Sequence, residues 1–401
     1  GEMKQRRKEV GWMWRRPSKK YVVQEKDDCA LTFDRLGCSL SATSAPKLIA
    51  VAGGRDGVGK TVFAAMLGIC LAGFERRTIL VDLDFSDANV GGYLNLAHAE
   101  KSLNRYFAGR SIHLAQIIRH TPFAGLDAIT LQSDELATTW PRPWQKRRLC
   151  RQLRQLDADY VILDLGSASS DVGLDFFLTA DDAILLSTGD VFSVVNSYSF
   201  IRSALLRNLK RRFYDHPDLL RMVDECGLLV DCKLVKPLNS MMRQLDLTAR
   251  ERFLAAAEVW QTFRPRVVLN FRQDEDLDDF ILLGPITRDL LNIELDYWGH
   301  IRFDENIARA VRAQRPEQLL RPTSPASEDV VRLVIRHLIA RESRFGDQRL
   351  GWPEDKNRFS MFDAAEALRC TPECPLWDQC SHRAEGRECA KMNFTALKKA
   401  G

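Results

Sequence analysis

The sequence predicts an α/β protein: a doubly wound, mostly parallel sheet flanked by helices, with a small cysteine-rich extension at the carboxyl end. Three observations lead there. Short apolar runs (KLIAVAG, TILVDLD, YVILDLG, AILLST, RVVLNF) alternate with helical patterns from Lys47 onward. Such runs read as strands buried on both faces, and strands alternating with helices imply parallel crossovers. The first run passes through a glycine-rich loop into the apolar helical run VFAAMLGICLAG. Two of the other runs carry aspartate at or near their ends, which places polar chemistry at the carboxyl ends of strands, where open α/β sheets bind ligands.

Taken in order, residues 1–46 form a basic extension. Residues 1–20 hold eight lysines or arginines against two glutamates, so a local charge of +6 leaves the remainder of this +4 chain at −2. The extension reads as a solvated tail or as an anchor for anionic lipid, nucleic acid or a partner. Residues 47–341 form the α/β domain, with 207–263 as a helical insertion beside the sheet. Its late helix is expected from SEDVVRLVIRHLIAR, with Ser327 as N-cap. Residues 342–401 are a polar, turn-rich tail. No run of about 18 apolar residues occurs and the start has no apolar signal core. With six of the ten cysteines scattered, the expectation is a reducing cytoplasm.

Gly54, four residues, then Gly59, Lys60 and Thr61 match the phosphate-loop pattern between a strand and a helix. The loop residues Gly54, Arg55, Asp56, Gly57, Val58, Gly59, Lys60, Thr61 and Val62 are the expected nucleotide contacts. Glycines let backbone N–H groups turn inward, and the helix N-terminus adds positive charge. Lys60 would reach the β- and γ-phosphates, and Thr61 would offer its hydroxyl to Mg²⁺. Asp82 and Asp84, two apart at a strand end, share a side while Leu83 faces away. Asp164 ends YVILDLG. Three acids facing one Lys–Thr loop favour a metal–nucleotide site, holding Mg²⁺ or positioning the attacking water.

GGRDGVGKT, ILVDLDFSDANVGGYLNL and the stretch from YVILDLG to SYSFI resemble the MinD/ParA family of P-loop ATPases, of the deviant Walker A type. The nearest likeness is to its FlhG-like branch, which regulates flagellar number and placement. The resemblance runs from about Lys47 to about Pro322. It implies ATP and Mg²⁺ as cofactors, an ATP-dependent face-to-face homodimer, and slow hydrolysis stimulated by a regulatory protein partner. It also implies contact with a membrane surface or nonspecific DNA, and a location in the cytoplasm or peripherally at the inner membrane or cell pole. By resemblance, Lys60, Asp84 and Arg55 are catalytic, with Asp84 positioning water. Thr61, Asp82 and Asp164 organise Mg²⁺, Asn270 bonds adenine, Asn89 lies in the first switch region and Gly166 in the second.

Two loop positions depart from the family's K-G-G-V-G-K-T. Arg55 stands for the lysine that crosses the dimer, keeping its charge in a planar fork. Asp56 stands for a glycine close to the γ-phosphate, where it would crowd and repel; a salt bridge to Arg55 or another arginine would relieve it. The bland reading turns both to solvent. The family's later "IP" is Ile301–Arg302 here, which puts base contacts in that segment in doubt. Slow turnover is expected, with a weakly or non-hydrolysing scaffold as the alternative.

Cys370, Cys374, Cys380 and Cys389 place four thiols within twenty residues, enough for Zn²⁺ or a [4Fe–4S] cluster. An iron–sulfur carrier like the Mrp branch is therefore a further alternative. The basic segments QKRRLCRQLRQL and RNLKRRF keep DNA contact open.

Overall fold

The computed structural model of the protein describes residues 45–86, 90–96, 102–109, 112–132, 141–167, 170–214, 220–221, 258–259, 262–273, 280–291, 293–321 and 324–340. The basic extension up to residue 44, Asn89, most of the 207–263 segment and the four-cysteine tail lie outside the described residues.

Eight strands form one sheet: β1 (Lys47–Gly53), β2 (Thr78–Leu83), β3 (Arg119–His120), β4 (Leu126–Ile129), β5 (Tyr160–Ser167), β6 (Asp182–Ser187), β7 (Arg266–Arg272) and β8 (Asp296–Arg302). Their spatial order is β3-β4-β2-β5-β1-β6-β7-β8. All neighbours are parallel except β3 with β4. This is the predicted doubly wound sheet. All five predicted strands are present, and β1 sits in its middle.

Side-chain alternation sorts the core into two faces. Leu48, Ala50, Val81, Leu83, Val161, Leu163, Leu185 and Leu269 join one cluster. Ile49, Val51, Leu80, Ile162, Ile184 and Val268 join the other. The first face is covered by α3 (Leu103–Ala108), α4 (Pro143–Leu153), α5 (Asp171–Phe177), α6 (Val191–Arg212) and α7 (Leu283–Leu291). The second is covered by α1 (Lys60–Gly73), α8 (Glu305–Arg312) and α9 (Pro325–Val334); α2 (Val90–Tyr93) is a single turn after β2. Helix α1 is buried along most of its circumference because it lies under α9 as well as on the sheet.

Two features differ from the sequence reading. The late helix begins two residues before Ser327: Ser324 is the N-cap, its hydroxyl accepting from Ser327 N–H, with Pro325 at the first helical position. Ser327 Oγ instead donates to the Leu319 carbonyl at 3.2 Å. The edge strands β3 and β8, and β4 beside β3, lie outside the sequence reading. β8 buries only Trp298 and Ile301, the rest being half-buried, so DYWGHIR lacks the continuous apolar signal of a central strand. Residues 207–212, the start of the 207–263 segment, are the last turns of α6, where Leu206 and Leu209 continue its buried stripe.

Candidate nucleotide site

The loop between β1 and α1 is held from both sides. A Cβ on Gly54 would come within 2.5 Å of the Ser197 backbone nitrogen, so α6 lies directly on the loop. Gly59 has φ 87°, and a Cβ there would lie 2.6 Å from Asn270 Nδ2. Asn270, 4% exposed, donates from Nδ2 to the Val58 carbonyl at 2.8 Å. It braces the loop with one N–H, leaving the other and its carbonyl oxygen for a ligand.

Lys60 is buried, and its Nζ donates to Asp56 Oδ1 at 3.2 Å and to the Arg55 carbonyl at 3.3 Å. Arg55 points the other way, with Nη2 3.1 Å from Asp190 Oδ2. Asp190 also caps α6 by accepting from Ser193 N–H. The expected relief of Asp56 by Arg55 is therefore not what forms. The loop curls so that Lys60, four residues on, meets Asp56, while Arg55 is drawn to the helix cap. The Asp56 side chain remains 79% exposed.

The three acids gather as expected but are not equivalent. Asp82 and Asp164 are register partners on β2 and β5. Asp82 accepts from Asp84 N–H at 3.1 Å and from Val90 N–H at 3.3 Å, one bond to each oxygen. Burial, then repulsion by Asp164, pushes its pKa well up. Asp164 is 1% exposed, and neither of its oxygens has a hydrogen bond of good geometry. Burial pushes it up to about 7; the nearby Thr61 hydroxyl and Lys60 charge draw it down, and Asp84 adds repulsion. Asp84 accepts from Ser86 N–H at 3.0 Å. It rests on Gly166, where a Cβ would come within 2.2 Å of its carboxylate.

A cavity of about 660 Å³ opens over this cluster, within the range of small-molecule sites. Asp56, Lys60, Thr61, Val62 and Asp84 line it together with Phe271, Phe303 and Val311. Phe271 has φ 57° and meets Phe303 edge to face, centroids 6.3 Å apart. This aromatic wall escaped the sequence reading, although FDEN directly after the Ile301–Arg302 pair was a visible signal. Ile301 and Arg302 do line the cavity. The Arg302 guanidinium, however, is engaged with Asp329 at 2.8 Å and Glu328 at 2.9 Å.

The donor set suits Mg²⁺: two orphaned carboxylate oxygens, a neighbouring hydroxyl and no sulfur or imidazole. Among the described residues no three His, Cys, Asp or Glu side chains form a ready cage. That fits a cation that keeps several waters and takes phosphate oxygens.

The family described as CobQ/CobB/MinD/ParA nucleotide binding domain matches residues 49–317. The antiactivator FleN of Pseudomonas aeruginosa is 25% identical over 283 residues, 70% of this chain and 82% of FleN. The sporulation initiation inhibitor protein Soj of Bacillus subtilis is 30% identical over 147 residues, 35% of this chain and 57% of Soj. The septum site-determining protein MinD of Pyrococcus horikoshii, complexed with Mg-ADP, superposes with a TM-score of 0.47 at 15% identity, covering 74% of this chain and 97% of that one. A family match that spans every strand of the sheet and the whole phosphate loop makes this chain a member of the CobQ/CobB/MinD/ParA nucleotide-binding family.

Proposed function

We propose that the protein binds MgATP at this loop, associates with a second copy in the ATP state, hydrolyses ATP slowly and serves as a regulatory or spatial-positioning switch. One observation carries the reading: Thr61 and the buried Lys60 line one cavity, and the Thr61 hydroxyl and the Lys60 charge both act on buried Asp164, whose oxygens have no well-formed hydrogen bond among the described residues. Backbone N–H groups of Gly54–Thr61 would hold the phosphates and Lys60 would neutralise them. Thr61 and Asp164 would hold Mg²⁺, with Asp82 fixing the turn beside it. The cation would offset phosphate charge and polarise the terminal phosphoryl group. Asp84 would orient the attacking water, held in place by Gly166. Asn270 and the Phe271–Phe303 wall face the base end.

Self-association is supported by the surface beside Arg55. Val191, Phe192 and Val195 at the start of α6 are 43%, 74% and 49% exposed, an apolar edge adjoining an arginine. A regulatory role is proposed from FleN, an antiactivator, and Soj, an inhibitor. DNA contact through the basic segments finds less support. Lys146, Arg207 and Arg211 converge on Asp175, Arg148 donates to the Gly109 and Ile112 carbonyls, and Arg154 pairs with Asp181. No helix of the described residues is long and apolar enough to cross a membrane. A second reading, a nucleotide-bound scaffold that scarcely turns over, is favoured by the Lys60–Asp56 pair.

The test is steady-state ATP hydrolysis beside light scattering with ADP and with ATP. Scattering that rises with ATP and slow phosphate release are expected. Lys60→Ala should weaken ATP about 10- to 100-fold, the value of hydrogen bonds to charged groups, and abolish the scattering change. An unaltered response in that variant would refute the site. Asp84→Ala should keep the scattering change and lose turnover.

A further inference from the structure

We propose that Asp56 is an internal occupant of the phosphate-binding lysine, displaced by the nucleotide, and that it makes the site discriminate ligands by their charge. This rests on the nucleotide reading of the site. The Lys60 ammonium lies 3.2 Å from the Asp56 carboxylate and 3.3 Å from the Arg55 carbonyl, so oxygens already surround it where phosphate oxygens would come. The two partners are unlike in burial. Lys60 is 7% exposed and Asp56 79% exposed. Lys60 is held largely away from solvent on the cavity wall, whereas Asp56 can return to solvent at little cost. Breaking the pair is therefore cheap on one side only, and only when another anion replaces the carboxylate on the buried side.

The surroundings favour this exchange. Gly57, next to Asp56, has φ 79°, and a Cβ built on it meets nothing within 4 Å, so the backbone there has room to swing. Arg55 stays on Asp190, outside the cavity, and does not draw Asp56 away from Lys60. Asp56 lines the same cavity as Thr61 and Asp84, so displacement moves its carboxylate off Lys60 without taking it far from the ligand. Its charge then faces the ligand. At roughly 5 Å in water, one unit charge against another changes affinity by about fourfold. MgATP carries one more negative charge than MgADP, so Asp56 weakens the triphosphate more. The exchange transfers a hydrogen bond from carboxylate to phosphate, and no covalent bond changes.

Calorimetric titration of MgADP and MgATP into the wild type, Asp56→Asn and Lys60→Ala tests the inference. Because Asp56 is exposed, the Asn variant should keep its thermal transition, which is checked first. Asp56→Asn should tighten MgADP about fourfold and MgATP about fourfold more again, with both gains shrinking at high salt. Wild-type affinities retained by Asp56→Asn for both ligands would overturn the inference and leave the site reading standing. Equal binding by wild type and Lys60→Ala would instead overturn the site reading, and the inference with it.

Discussion

Asp175, in the helical layer on one face of the sheet, and Asp164, at the carboxyl ends of the strands, are both buried carboxylates. Asp175 is gripped by Lys146 of α4 and by Arg207 and Arg211 of α6, with Arg207 Nε at 2.9 Å and Arg211 Nη2 at 2.6 Å. Burial alone would raise its pKa, but the three cations outweigh it and hold the group below the usual carboxylate range. Among the described residues neither Asp164 oxygen has a well-formed hydrogen bond, and burial, only partly offset by Thr61 and Lys60, lifts it to about 7. One acid is satisfied by the fold and ties two helices together. The other is left without a well-formed hydrogen bond among the described residues, as the Mg²⁺ site proposed above requires.

The sharpest way to break this contrast is to remove each carboxylate. Asp175→Ala should destabilise the protein by about 3 kcal/mol, the low end for breaking a buried ion pair, because it leaves three half-buried cations without their shared carboxylate; urea denaturation measures this. The same contact sets an acid limb. A carboxyl depressed in the folded state contributes stability above its unfolded pKa of about 3.9, and that contribution is lost as pH falls through the lower folded value. Asp175→Asn should flatten the loss of stability below about pH 4. Asp164→Asn should do the opposite of Asp175→Ala: without Mg²⁺ it should stabilise by about 1–3 kcal/mol by removing a desolvated charge, and abolish stabilisation by Mg²⁺ with nucleotide. A less stable Asp164→Asn protein would mean that the fold itself uses the charge. The smallest effect should come from Lys146→Met, about 1 kcal/mol or less, since two arginines still hold Asp175 and the stem volume is kept.

The central strands were legible because β1, β2, β5, β6 and β7 are buried on both faces, and continuous apolar runs follow from that. The phosphate loop was legible because its chemistry demands particular residues at particular spacings. What stayed hidden depends on tertiary partners. Sequence made Asp82 and Asp164 look like a matched pair of metal ligands. The amides of Asp84 and Val90 that occupy Asp82 are set by how the chain turns after β2. In the same way, the partners of Arg55 and Asp56 are set by the approach of α6 and the curl of the loop. The Ser327 cap failed for a local reason instead: Pro325 takes the first helical position and moves the cap to Ser324.

Helix α6 begins at the residue after Asp190 and ends beyond Arg207 and Arg211. Its 22 residues make a rod about 33 Å long. One end is tethered to the loop through Arg55 and rests on Gly54; the other is clamped at Asp175. A lever fixed at its far end pivots there. Any movement that nucleotide imposes on the loop should therefore be largest at the exposed side chains of Phe192 and Val195 and fade toward the clamp, which turns a change in phosphate occupancy into a displacement of the protein's surface.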